Sequence, residues 1–351
     1  MKRLIVCLLT LFVCLTLVAP CVSAEEVDGV YRYEILPDGT VMLVGTTQKL
    51  TGSVILPSQL GGRNLTAIGE DAFYEFENMI SLQIPHGVTE IGDFCLAYCR
   101  GLETIQLPET LTAVGEGAFM GCSALKELTI PTSLSRIGHG ALDFCTSVTA
   151  YHVGTGSTLF EERDGVLFNI ETEDSPKTLL HYPAGRTATD YTLPADTVLI
   201  GERAFNGSAY LTNLRLNDQL TWIQKEAFIN CPQLKTVTMV KSIENVGEHA
   251  LGFLYQEGGE HEPIPQFVMQ GLDKTKAQEY ATAHGVTYKV LTEQQLADLL
   301  NPPAPQPSEE LSTVDKLINF AKTYQTYLII GGGVLFILII LIIVSSKKKK
   351  Q

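Results

Sequence analysis

The chain of 351 residues lacks the motifs that most enzymes and cofactor-binding proteins carry. It has no GxSxG nucleophile motif, no phosphate-binding loop and no GxGxxG dinucleotide fingerprint. His261-Glu262 begins like the HExxH helix of zinc proteases, but Pro263 and Pro265 prevent a helix and the second histidine is missing. The sequence therefore predicts a protein that is not an enzyme, with no catalytic residue, no cofactor and no metal ligand.

Basic residues are also in deficit, with 25 Lys and Arg against 39 Asp and Glu and a net charge of −14. Six of the basic residues, Lys2, Arg3 and Lys347–Lys350, lie at the two ends of the chain. The long segment between them keeps 19 basic residues against the same 39 acidic ones, a charge of −20. Such a charge repels nucleic acid and anionic lipid, so neither is a predicted partner of this segment.

A short repeat with one constant spacing organises most of the chain. Glycine recurs at this spacing at Gly69, Gly92, Gly115 and Gly138, and proline at Pro85, Pro108 and Pro131. Seven units share the frame: residues 65–85, 88–108, 111–131, 134–153, 198–217, 220–240 and 243–253. The period predicts one solenoid from about Leu50 to Phe253, built by stacking the units on one another.

Each unit has the pattern of a short strand and a tight turn. Apolar Ile105 and Leu107 alternate with Thr104 and Gln106, which is typical of a half-buried strand. The repeated glycine is interpreted as a backbone turn that a side chain would obstruct, and the Ala-Phe pairs as core fillers. Because one unit cannot bury its own apolar face, stacked neighbours should form the core. The side chains expected in it include Ile84, Ile105, Leu107, Ile130 and Val237.

The consensus V-x-x-I-G-x-x-A-F-x-x-C-x-x-L-x-x-I-x-I-P resembles the BspA-type leucine-rich repeat family. The resemblance covers about residues 27–291, although Cys95-Leu96 replace Ala-Phe and Gln224 replaces the glycine. It implies a repeat solenoid, a leucine-rich repeat array with an N-terminal hairpin cap and a C-terminal cap. Its segments would be the N-terminal cap (25–64), repeats (65–153), an interrupting hairpin-like unit (154–197), further repeats (198–257) and the C-terminal cap (258–291).

The interrupting unit breaks the repeat frame. After Gly138, the next glycine in the repeat position is Gly201, and their separation along the chain is not a whole number of repeats. Val166–Phe168 and Thr178–Leu180 have strand patterns on either side of an acidic turn, Glu171–Pro176. This spacing predicts a hairpin with Phe168 and Leu180 facing the core and the turn in solvent. The acidic runs at 161–164 and 171–174 are either solvated loops or a calcium site.

Both ends of the chain predict display at a cell surface. Residues 1–24 have the basic start, apolar run and small-residue end of a signal peptide, while a lipoprotein anchor through Cys21 is the competing interpretation. Residues 292–326 form a spacer that includes the proline-rich Asn301–Pro307. Residues 327–344 are 18 uncharged residues, which predict one C-terminal transmembrane helix. Lys347–Lys350 would place the tail, 345–351, in the cytoplasm.

Five of the eight cysteines lie beyond residue 24. Secreted chains usually pair their cysteines, so disulfides are one interpretation. Cys99, Cys122, Cys145 and Cys231 occupy the same slot of their repeats, which favours buried free thiols that act as small apolar side chains. Cys95 and Cys99 form CxxxC without a second pair, a weak signal for zinc.

The outward positions of the repeat strands form the candidate binding surface, because repeat proteins use such extended faces for protein ligands. An alternative is that threonine ladders simply suit exposed strands. The lone Trp222 is interpreted as either core or a ligand anchor. We define the strand face as Ser81, Gln83, Thr104, Gln106, Glu127, Thr129, His152, Asn213, Arg215, Thr236 and Thr238.

Together these features predict a single-pass cell-surface protein that binds a partner through its repeats. The resemblance implies a protein ligand on host matrix or on a microbial surface. Two rival functions stay open: an envelope scaffold that docks surface proteins of the same cell, and a cryptic hydrolase that would need a clustered acid and base. The sequence does not identify the ligand or the oligomeric state.

Overall fold

The computed structural model describes residues 25–256 and 259–300. The predicted signal peptide (1–24), the remainder of the spacer (301–326), the predicted transmembrane helix (327–344) and the basic tail (345–351) lie outside the described residues. Within the described ranges, neither helix has the length and apolarity that a membrane crossing needs.

The described residues fold into short strands and two late helices. In chain order the strands are β1 (Glu26–Asp28), β2 (Tyr31–Ile35), β3 (Val41–Thr46), β4 (Gly52–Ile55), β5 (Gln59–Leu60), β6 (Arg63–Ile68), β7 (Met79–Gln83), β8 (Glu90–Ile91), β9 (Thr104–Gln106), β10 (Ala113–Val114), β11 (Glu127–Ile130), β12 (Arg136–Ile137) and β13 (Ala150–Val153). They continue with β14 (Phe160–Arg163), β15 (Val166–Asn169), β16 (Thr178–His181), β17 (Asp190–Thr192), β18 (Leu199–Ile200), β19 (Asn213–Arg215), β20 (Trp222–Ile223), β21 (Thr236–Thr238), β22 (Asn245–Val246), β23 (Phe253–Tyr255), β24 (His261–Pro263), β25 (Val268–Gly271) and β26 (Thr287–Val290). The helices are α1 (Lys276–Ala283) and α2 (Glu293–Leu300).

Each regular repeat contributes two parallel strands, so the predicted solenoid has two ladders. The short ladder stacks the two-residue strands β8, β10 and β12 on β3 and β6, and then resumes as β16, β18, β20 and β22. The long ladder stacks β4, β7 and β9, then β11 and β13, then β17 and β19, then β21, β25 and β26. Alternation within the regular strands of the long ladder buries every second side chain, as Ile105 in β9 and Leu128 in β11 show.

The repeated glycine has a different cause from the one that the sequence suggested. We call each repeat of the stack a rung. A Cβ on Gly92, Gly115 or Gly138 would lie 2.6, 2.4 or 2.3 Å from atoms of the preceding rung. Glycine is therefore required by the close approach of consecutive rungs. Left-handed backbone instead occurs around the phenylalanine of the Ala-Phe pair, which we call the phenylalanine slot. Arg203 (φ 53°) lies two residues before Phe205, and Asn230 (φ 59°) lies two residues after Phe228.

The core runs along the inside of the rungs, and most of the predicted core residues lie in it. Ile84, Ile105, Ile130 and Val237 are buried, so these predictions are confirmed. The prediction for Leu107 was wrong, because Leu107 is half-buried. It lies where β9 and β11 belong to separate sheets and a depression opens beside the chain.

The interruption forms the predicted hairpin between β15 and β16, with Phe168 opposite Leu179 and fully buried. Leu180 is half-buried and packs against the edge of the core, as predicted, while Leu179 is fully buried in it. The register shift between Leu167 and Phe168, whose partners are His181 and Leu179, leaves Leu180 as the unpaired residue between them. An additional strand, β14, pairs with β15 across Asp164-Gly165, whose positive φ angles fit a tight hairpin turn.

All five cysteines in the described residues are buried and unpaired. Four of them repeat one contact, in which the thiol donates to a backbone carbonyl of the preceding rung: Cys99 to Phe73, Cys122 to Leu96, Cys145 to Phe119 and Cys231 to Phe205, at 3.1–3.2 Å. This repeat position therefore favours a small, apolar side chain that can donate a weak hydrogen bond. That requirement explains why cysteine recurs there although it forms no disulfide.

We expect these thiols to be inert in the folded protein. Burial raises the pKa of Cys99, Cys145 and Cys231 to about 12, and thiolate is the reactive form. Iodoacetamide at pH 8 should leave all five cysteines unmodified in the native chain and modify all five in denaturant, as read by mass spectrometry of the peptides. Fast native labelling, or a disulfide-linked peptide, would contradict this expectation.

Candidate ligand-binding surface

The strand face occupies the solvent side of the long ladder. Nine of its eleven residues are exposed, and Ser81 and Thr238 are half-buried. Each follows from the alternation of its strand, because the neighbouring inward residue fills the core. Gln83 and Gln106 are direct partners in the β7–β9 register, as are Ser81 and Thr104.

The structure does not bring all eleven residues onto one continuous sheet. They fall into four groups on separate sheets: Ser81, Gln83, Thr104 and Gln106; Glu127, Thr129 and His152; Asn213 and Arg215; Thr236 and Thr238. The largest break follows β13, where Tyr151 N–H donates to the Gly165 carbonyl of the hairpin instead of to a further long-ladder strand. The face is therefore divided by the interruption.

Hydroxyl groups elsewhere in the array are committed to structure. Thr89 Oγ1 donates to the Thr66 carbonyl at 3.2 Å, Thr112 Oγ1 to the Thr89 carbonyl at 3.0 Å, and Ser135 Oγ to the Thr112 carbonyl at 2.9 Å. On the strand face, by contrast, the side chains of Gln83 and Gln106 make no hydrogen bond with any other residue of the described ranges. Their amides are available to a ligand.

A depression of about 420 Å³ lies at the break between β9 and β11. Ile105 and Leu107 contribute apolar surface, and Gln83, Gln106 and Thr129 surround them with polar groups. An apolar patch ringed by hydrogen-bonding groups is the arrangement of a protein-binding hot spot. His86 and Glu109 add charged groups at its border, so this depression offers a ligand both apolar and polar contacts.

The remaining face residues carry more charge. His152 Nε2 lies 3.5 Å from Glu127 Oε2, and Asn213 Nδ2 donates to Asp190 Oδ1 at 2.8 Å. Hydrogen bonds from Thr189 and Asn213 lower the pKa of Asp190, which keeps its carboxylate charged. Ion pairs and hydrogen bonds between neighbouring rungs already occupy these groups.

Sequence reasoning missed four residues of this surface. Ile55 is 69% exposed and lies opposite Gln83, and Ile80 is 50% exposed on β7. Asp190 and Thr192 on β17 lie opposite Asn213 and Arg215 in the parallel β17–β19 pair and extend the strand face by one strand. The sequence contained a pattern that predicts a strand at Ile55, because Val54-Ile55-Leu56-Pro57 resembles the end of the strand before Pro85.

Trp222 is 44% exposed on β20, which belongs to the short ladder. The interpretation of Trp222 as a core residue was therefore wrong, and its position lies off the strand face.

A buried ionic cluster is the chemically most unusual group of the described residues. Arg203 Nη1 lies 2.8 Å from Asp143 Oδ2, and its Nε lies 2.5 Å from Glu226 Oε2. Both carboxylates are 2% exposed, and Glu226 Oε1 also lies 3.0 Å from His261 Nε2. Burial acts to raise the pKa of Glu226, but the hydrogen bond and charge of Arg203 outweigh it and lower that pKa. A carboxylate held this way suits a structural ion pair better than a general base.

No group of His, Cys, Asp and Glu in the described ranges is arranged to hold a metal ion. The acidic residues Glu171, Glu173 and Asp174 of the hairpin turn are exposed.

Comparison with known proteins places these observations in a family. The model of the BspA type leucine rich repeat region matches six copies over residues 53–163 and 184–255, more than half of the chain. No curated protein matches the chain significantly.

Three solved structures illustrate the similarity. A leucine-rich cell surface protein from Faecalibacterium prausnitzii is 17% identical with a TM-score of 0.44, covering 81% of this chain and 99% of that one. A leucine-rich repeat protein from Eubacterium ventriosum is 18% identical with a TM-score of 0.49, covering 72% and 73%. One from Bacteroides capillosus is 30% identical with a TM-score of 0.34, covering 37% and 98%.

Proposed function

Because the chain belongs to the BspA type leucine rich repeat family, we propose that it is a membrane-anchored surface protein that binds a protein ligand through its strand face. The ligand class is an exposed protein of host matrix or of another microbial surface. Binding is non-covalent, and no bond is made or broken.

The observation that carries this proposal is the contrast between the two sets of polar side chains. Hydroxyls such as that of Thr112 are bonded to the preceding rung, whereas the amides of Gln83 and Gln106 have no partner in the described part of the chain. Those amides border an apolar depression of about 420 Å³. A protein ligand supplies both an apolar side chain and backbone groups that hydrogen-bond to amides.

The anchoring part of the proposal is supported by the sequence. Residues 327–344 are uncharged, and Lys347–Lys350 follow them closely. The array would then be held outside the cell by residues 301–326 of the predicted spacer, whose Asn301–Pro307 stretch favours extended geometry.

The test is a binding measurement on the double variant Gln83→Arg/Gln106→Arg. The full chain, purified in a mild detergent, is applied to surfaces carrying collagen, fibronectin or laminin. We expect at least one of them to bind, and the double variant to bind about tenfold more weakly, or about 1.4 kcal/mol. The long charged side chains would fill the depression and add charges that lose hydration on binding.

The matched control is Gln219→Arg/Gln233→Arg, which adds the same charge at two exposed glutamines off the strand face. This control should bind like the wild type. Equal weakening of both variants would assign the effect to charge alone and refute the proposed surface. Cross-linking on intact cells that captures only envelope proteins of the same cell would favour the scaffold function instead.

A further inference from the structure

A cleft of about 550 Å³ lies where the interruption breaks the short ladder. Its first wall is the rung that contains β12, residues 135–143, and its second wall includes Leu180, His181 and Glu202. We call it the interruption cleft. The ladder ends at β12 and resumes only at β16, so the cleft occupies the place of a missing rung.

Consecutive rungs are normally joined by a fixed set of backbone hydrogen bonds. Phe94 and Leu96 N–H groups donate to the next rung, and Gly117 and Phe119 do the same one repeat later, at 2.7–3.0 Å. The carbonyls of Thr112 and Val114 accept bonds from the next rung at 2.8–3.2 Å. The pattern repeats from rung to rung, which makes its failure at the cleft easy to identify.

The rung at the cleft lacks these bonds on its open side. By the same spacing, the donors are the N–H groups of Gly140 and Leu142, and the acceptors are the carbonyls of Ser135 and Ile137. None of the four makes the expected bond with another residue in 25–256 or 259–300. Since paired backbone groups are the rule in folded chains, four open ones along one wall favour an external partner.

The cleft also exposes core surface. Ile91 and Val114 are buried in the preceding rungs, but Ile137, in the same slot, is half-buried. Phe160 and Leu167 contribute further apolar surface. An aliphatic side chain placed here would contact the apolar groups that a regular rung contacts.

Contacts between the chain segments on the two sides of the cleft fix its width. Gly185 N–H donates to the Val148 carbonyl at 2.8 Å, His139 Nε2 lies 3.0 Å from Glu202 Oε2, and Arg203 is paired with Asp143. The walls are thus fixed at both sides without the rung between them. Such a preformed site binds with a smaller entropy loss than a mobile one.

We propose that the interruption cleft binds a peptide segment that carries an aliphatic side chain and takes the place and the backbone conformation of the missing rung, a short strand followed by a turn. The peptide backbone supplies acceptors for Gly140 and Leu142 and donors for Ser135 and Ile137, which is strand addition to an open edge. A ligand with hydrogen-bond acceptors alone would bond to the N–H groups of Gly140 and Leu142 but would leave the carbonyls of Ser135 and Ile137 without a donor. This site is separate from the strand face, so either proposal can fail without the other.

The probe is a synthetic peptide with the sequence of residues 111–121, LTAVGEGAFMG, which forms a regular rung in this chain. Isothermal titration to the full chain in detergent should show binding. Hydrogen exchange should show that the Gly140 and Leu142 amides become protected. A control peptide with Val114→Asp should bind at least tenfold more weakly, because a carboxylate would enter the apolar part of the cleft.

A variant of the protein provides the second test. Leu180→Trp should fill the cleft and weaken peptide binding at least tenfold, while Val27→Trp, at a side chain that is 58% exposed on β1, should leave it unchanged. Thermal unfolding shows whether each variant is folded. Equal binding of the two peptides, or binding without protection of Gly140 and Leu142, overturns the proposal. Protection of these amides that rises with protein concentration, without peptide, assigns the cleft to a second copy of the chain and also overturns it.

Discussion

Replacing Arg203 with methionine is expected to lower the free energy of unfolding by about 3–5 kcal/mol, because it removes the guanidinium that pairs with two buried carboxylates. Asp143 and Glu226 are each 2% exposed and both lie within 2.8 Å of Arg203. Methionine replaces the volume of the side chain but not its charge. Urea unfolding of the wild type and the variant measures the difference.

The pH dependence of this loss has a definite sign. In the wild type the pKa of Glu226 is lowered, so its contribution to stability is present above its unfolded pKa of about 4.3 and is lost as pH falls through the lower folded value. In the variant Glu226 loses the hydrogen bond and charge of Arg203 that hold its pKa down, so burial acts toward its protonated form, although His261 and Lys225 still face it. The deficit of Arg203→Met should therefore be largest near pH 7 and shrink toward pH 4.

The control is the triple variant Arg203→Met/Asp143→Asn/Glu226→Gln, which removes all three charges together. It should recover much of the loss, since neutral replacement of a buried ionic cluster is often tolerated. A single variant as stable as the wild type at pH 7 would show that the cluster is hydrated or open in solution. A deficit that does not change with pH would show that lost packing, and not charge, is the cause.

Replacing Phe205 with alanine is expected to cost about 3–5 kcal/mol of unfolding free energy, through lost burial and the cavity left between rungs. Phe205 is fully buried. Its ring stacks 4.5 Å from that of Phe228 and 4.9 Å from that of Tyr182, in the rungs on either side. Because each rung contacts only its neighbours, the loss falls on two interfaces at once.

The chain itself provides the matched control. Leucine occupies the phenylalanine slot at Leu96, Leu142 and Leu251, all of them buried. Phe205→Leu should therefore cost less than half as much as Phe205→Ala. Tyr210→Ala, at a side chain that is 52% exposed, should change stability by less than about 0.5 kcal/mol. Equal losses for alanine and leucine would mean that ring stacking, and not volume, is what the slot requires.

The sequence alone determined the repeat architecture, because a constant period makes every rung bury the same positions. It placed Ile84, Ile105, Ile130 and Val237 in the core, identified the family, and predicted the hairpin between Val166–Phe168 and Thr178–Leu180. These features depend on local alternation and on spacing along the chain, which a sequence displays directly.

Only the tertiary structure decided where the array departs from its period. The register shift at Leu167/Phe168, the break between β9 and β11 beside Leu107, and the cleft along β12 all depend on how one rung meets the next. Arg203 shows the same limit. It pairs with Asp143, 60 residues earlier, across the interruption, so its partner is set by packing and not by the repeat. The repeated glycine was visible in the sequence, but its cause, contact with the preceding rung, is a distance between rungs that the sequence does not contain.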